Sequence, residues 1–154
     1  LLNNCIILMM RDSFKSAINI KIASKIDQAG EQQTVNQAVQ GDLLLNEDHS
    51  YTILYKMENH LIRLEVAPEK TRVVYFGHGG RTVLVYDEKI DLAESKYASD
   101  QGIIDMLVKT ENVDFDQVDA TGSLHIEYEL FQDKDSLGKF DLTLQFSPTV
   151  SKID

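Results

Sequence analysis

A chain of 154 residues fits one domain, and 43% hydrophobic residues give it enough apolar surface for a core. Its formal charge of -10 repels phosphate backbones and anionic bilayers, with no Lys/Arg cluster to offset it, so neither nucleic acid nor a membrane is an expected partner. Cys5 is the single cysteine, which rules out an intrachain disulfide, and no Cys/His spacing matches structural zinc; both features point to a reducing, cytoplasmic setting.

The first ten residues, Leu1 to Met10, are apolar but too short for a membrane span and lack the basic start of a signal peptide. The chain begins with Leu, and Met9 or Met10 is the expected natural start. Residues 1–15 therefore read as a leader outside the fold, residues 16–147 as the domain and residues 148–154 as a tail.

Alternation starts at Ser16. Ile18, Ile20, Ile22 and Ile26 fall on one face, with Asn19, Lys21, Ala23 and Lys25 on the other, the two-residue period of a half-buried strand. A turn at Asp27-Gln28-Ala29-Gly30 leads to a second strand over residues 34–45, where Gly41 signals a bulge or a close backbone approach. Tyr51, Ile53, Tyr55 and Met57 share one face of the third strand. Ile62, Leu64 and Val66 form the fourth, which ends at Pro68. Residues 71–76 and 81–86 flank Gly77-His78-Gly79-Gly80, a hairpin turn. Residues 87–100 read as an irregular strand. Ile104, Met106, Val108 and Thr110 carry the next one, and residues 112–115 start a separate short strand. The last hairpin, residues 122–146, alternates most clearly: Leu124, Ile126, Tyr128 and Leu130 on one arm, Phe140, Leu142, Leu144 and Phe146 on the other.

About eight to ten antiparallel strands without a helical period predict an all-β, up-and-down barrel. Closure would remove sheet edges that otherwise invite association.

Motifs for phosphate binding, a nucleophilic serine elbow or helical zinc ligation are absent, so no catalytic residue, metal or cofactor is expected. His125, Glu127 and Glu129 share a strand face that is able to present ligands to a metal, but it lies opposite the apolar row and reads as a solvated surface. His49, His60 and His78 fall in or beside turns, with no nucleophile tied to them. Tyr51, Tyr55 and Tyr128 lie on inward faces, where a buried hydroxyl needs a partner. Tyr55, Met57, Met106, Tyr128 and Phe140 together would line a site for an apolar body with one polar group.

Strand order and several spacings resemble the YwiB-like family of uncharacterised bacterial proteins, over residues 16–146. The likeness rests on Tyr97 followed by Gly102, Ile104, Met106, Val108 and Thr110, on Tyr128, Leu130, Gly138, Phe140, Leu142, Leu144 and Phe146, and on Gly41 with the strand ending at Tyr55. The resemblance implies a calycin-type (lipocalin-like) barrel. It carries over no catalytic residue. One departure stands out: Val74-Tyr75-Phe76 occupies the place before the glycine turn where the family leads one to expect an arginine, and Arg81 follows the turn instead. The reading is thus a non-enzymatic cytoplasmic barrel that binds a small, partly apolar molecule, or else a filled barrel that contacts another protein.

Overall fold

The computed structural model describes residues 13–149. Residues 1–12 of the expected leader, with the choice between Met9 and Met10, lie outside the described residues, whereas Ser13, Phe14 and Lys15 pair with Asn46, Leu45 and Leu44, so the first strand begins before the expected Ser16. Ten strands form one closed antiparallel barrel in which each strand pairs with its sequence neighbours and β1 closes on β10. They are β1 (Ser13–Gln28), β2 (Glu31–Asn46), β3 (Tyr51–Met57), β4 (His60–Val66), β5 (Arg72–Gly77), β6 (Thr82–Asp87), β7 (Ala93–Ser99), β8 (Gly102–Val118), β9 (Thr121–Gln132) and β10 (Asp135–Pro148). Among the described residues, no helix is long and apolar enough to cross a membrane.

Alternation places the core. Ile18, Ile20 and Ile22 from β1 meet Leu124 and Ile126 from β9 and Leu144 and Phe146 from β10, and Ile53, Leu64 and Val73 complete the opposite wall. The registers Ile20↔Phe146, Ile22↔Leu144 and Leu144↔Leu124 put these side chains on one inner face.

The strand boundary at residue 112 differs from the sequence reading. Residues 112–115 do not start a new strand; they continue β8, with a register shift between Thr110 and Asn112 that keeps Val113 and Phe115 buried. A bulge inserts one residue and so shifts the apolar alternation, which in sequence looks like a strand break. Of the two readings open for Gly41, a bulge or a close backbone approach, the structure shows the close approach: a Cβ there would collide with the Leu54 carbonyl oxygen.

Strand lengths are uneven. β2 has 16 residues but β3 only 7. Their pairing runs from Gly41↔Tyr55 to Leu45↔Tyr51, so the outer part of β2 is bonded to β1 alone. The β6–β7 seam is also thin, with Val83↔Lys96 as its registered pair. Hydroxyls reinforce it: the buried Thr82 Oγ1 accepts the Ala98 N–H at 2.9 Å, and Ser95 Oγ accepts the Val85 N–H at 3.0 Å.

Candidate functional site

One end of the interior is plugged. Tyr51, Phe115 and Phe146 pack ring to ring, with centroids 5.1 Å apart for Tyr51–Phe115 and 6.2 Å for Phe115–Phe146. The Tyr51 hydroxyl donates to Gln117 Oε1 at 2.8 Å, and the Lys70 ammonium lies 5.9 Å from the Phe115 centroid. This aromatic cluster forms a packed floor across that end of the interior.

Beyond that floor, four tyrosines face one another. Tyr55 comes from β3, Tyr75 from β5, Tyr86 from β6 and Tyr128 from β9. Tyr86 and Tyr128 have centroids 4.6 Å apart and share a side-chain hydrogen bond, while Tyr128 stacks on Phe140 at 5.1 Å and 10°. Tyr55 and Tyr86 are almost fully buried, whereas Tyr75, Tyr128 and Met57 are partly buried against the core. Burial pushes all four hydroxyls above the ordinary phenol range, and mutual proximity adds to this for Tyr55, Tyr75 and Tyr86. Each is therefore a neutral group near pH 7, able to donate and accept a hydrogen bond but not to act as an anionic base.

Of the residues expected to line a site, Tyr128 and Phe140 are in direct contact, and Tyr55 belongs to the same cluster. Met57 packs against the core from the end of β3. Met106 lies opposite the buried Ser95 in the β7–β8 hairpin. Sequence reasoning missed Tyr75 and Tyr86. Both sit in strands apolar on both faces, Val73-Val74-Tyr75-Phe76 and Val83-Leu84-Val85-Tyr86, where alternation carries no direction. At the rim, the His60 and His78 rings lie 4.8 Å apart, and Tyr97 meets His78 edge-on at 6.2 Å.

The outer wall carries a second constellation. His125 Nε2 lies 2.8 Å from Asp141 Oδ1 and 3.9 Å from Glu127 Oε1, and one ligand atom from each residue falls within 4.8 Å of the others. Glu129, grouped with His125 in sequence, turns instead to accept the Ser136 hydroxyl at 2.7 Å. Asp141 arrives from β10 through the register Asp141↔Glu127, a neighbour that a reading of one strand does not reveal. An open cleft of about 630 Å³ runs beside it, lined by the charged Lys25, Asp27, Glu111, Glu127, Glu129, Lys139 and Asp141, by Gln32, Gln33 and Thr34 of β2, and by Ile26, Tyr128 and Phe140. Imidazole and carboxylate here satisfy one another, with side chains 34% and 37% exposed. That is the solvated face expected from the alternation, now with a cross-strand ion pair when His125 is protonated.

Comparison with known proteins adds to the fold. A family model described as "Domain of unknown function (DUF1934)" matches residues 20–144. The crystal structure of the ywiB protein from Bacillus subtilis superposes with a TM-score of 0.77 at 14% identity, covering 88% of this chain and 94% of that one. No curated protein matches significantly.

Proposed function

The chain belongs to the DUF1934 family, whose description assigns no activity, and from the barrel interior we propose that it is a non-enzymatic binding protein for a small, partly apolar molecule. The observation that carries this reading is the convergence of four neutral tyrosine hydroxyls above an aromatic floor. Phe140 and Met57 offer apolar contact, and the phenols offer donors and acceptors for one uncharged polar group. Tyr55, Met57, Tyr128 and Phe140 would form the wall, with Met106 nearer the β7–β8 rim. A cytoplasmic setting agrees with the lone Cys5.

A second reading is a barrel with a filled interior whose outer face binds another protein. The Tyr86–Tyr128–Phe140 stack favours it, because these rings occupy volume that a ligand would need. Titration of a fluorescent apolar probe bearing one hydroxyl separates the two. Saturable binding that is lost in Tyr128→Trp, with melting unchanged, supports the ligand site. Absence of saturable binding to the folded wild type, up to the solubility limit of the probe, leaves the filled barrel.

A further inference from the structure

We propose that the free outer edge of β2 pairs, antiparallel and about a two-fold axis, with the same edge of a second copy of this chain. β3 turns back at Met57, and extending the register Gly41↔Tyr55 would use up β3 opposite Val39. Residues 31–38 therefore project past their neighbour, bonded to β1 on one side and, among the described residues, to no strand on the other. An unpaired edge presents a row of backbone N–H and C=O groups that another strand completes, and proteins that avoid such pairing place charges, prolines or bulges there. None of these devices is present over residues 32–41, Gln-Gln-Thr-Val-Asn-Gln-Ala-Val-Gln-Gly, and the β1–β2 register runs unbroken through them.

The composition selects the partner. In a two-fold antiparallel pair, residue i of one strand lies opposite residue j of the other and j opposite i, so the edge meets its own composition. An edge rich in one sign of charge would set like charges side by side and repel. Gln32, Gln33, Asn36, Gln37 and Gln40 carry primary amides, which are donor and acceptor at once and hence complementary to themselves. In a chain of net charge -10, this uncharged stretch lets two copies approach without direct repulsion at the contact.

Sedimentation velocity over a concentration series, with hydrogen exchange of residues 31–40, tests this. The wild type should dimerise at micromolar to sub-millimolar concentration, and the β2 amides should gain protection as the dimer forms. Gln37→Lys and Gln37→Glu copies should each weaken self-association at least tenfold while melting like the wild type. Mixing these two variants should restore a heterodimer, an outcome that misfolding cannot produce. A wild type that stays monomeric up to 1 mg of protein per 50 µl (about 1 mM, well above the dissociation constants typical of specific association), or a dimer indifferent to both charges, overturns the proposal.

Discussion

Alkaline titration is the sharpest physical test of the tyrosine cluster. Tyr55 and Tyr86 are 6% and 1% exposed, and burial holds both hydroxyls protonated in the folded state well beyond the ordinary phenol range. In the unfolded chain each ionises near pH 10. A folded pKa above the unfolded one leaves stability intact below about pH 10 and removes it as pH rises toward the folded value. At pH 11, a tyrosine that keeps its proton only when folded costs on the order of 1 kcal/mol, so these two together cost roughly 2–3 kcal/mol. That is a large share of a stability of roughly 5–15 kcal/mol. Lysine titration also changes over this range, so the measurement is differential. Urea denaturation of wild type and of Tyr55→Phe at pH 8 and pH 11 should show the variant gaining on the order of 1 kcal/mol relative to wild type between the two conditions. Parallel pH profiles for the two proteins would show that the Tyr55 hydroxyl is already in water, and the binding proposal would lose its main support.

Three further outcomes follow from packing. Gly41→Ala should destabilise by at least about 2 kcal/mol by urea denaturation, because the added methyl meets the Leu54 backbone and neither strand is free to move. Thr82→Val should cost about 1–3 kcal/mol and speed amide exchange at Ala98, whose N–H loses its acceptor at the thin β6–β7 seam. Phe115→Ala should cost about 3–5 kcal/mol by removing the interior floor, while Asp116→Ala on the exposed face of the same strand should stay within about 0.5 kcal/mol; a reversal of that pair would mean that the strand register after the β8 bulge is shifted by one residue.

The barrel was legible in the sequence because one-sided burial writes a two-residue period into each strand. The isoleucines of β1 and the aromatic row of β10 fall on the inner face that their alternation predicts. Legibility failed where that signal is physically absent. β5 and β6 are apolar on both faces, so Tyr75 and Tyr86 gave no sign of pointing toward Tyr128. The β8 bulge offset the period and imitated a strand boundary at residue 112. Contacts between strands were equally hidden: Asp141 joins His125 through a register set by hairpin geometry, and nothing local to either strand specifies that meeting.

Uneven strand length connects these features. β1, β2, β8, β9 and β10 have 12 to 17 residues, against 6 or 7 for β3 to β7. A closed barrel of such strands pairs fully only over the length that the short ones supply. The long hairpins must then extend past the closure, which leaves the outer half of β2 without a second neighbour among the described residues. On the short side, the wall is joined at β6–β7 largely through Thr82 and Ser95 hydroxyls, since a single registered residue pair remains there. Both consequences arise from chain geometry, not from any one side chain. Lengthening β3 and β4 by two residues each should therefore cover part of the β2 edge and weaken self-association, while leaving the alkaline signature of the buried tyrosines unchanged.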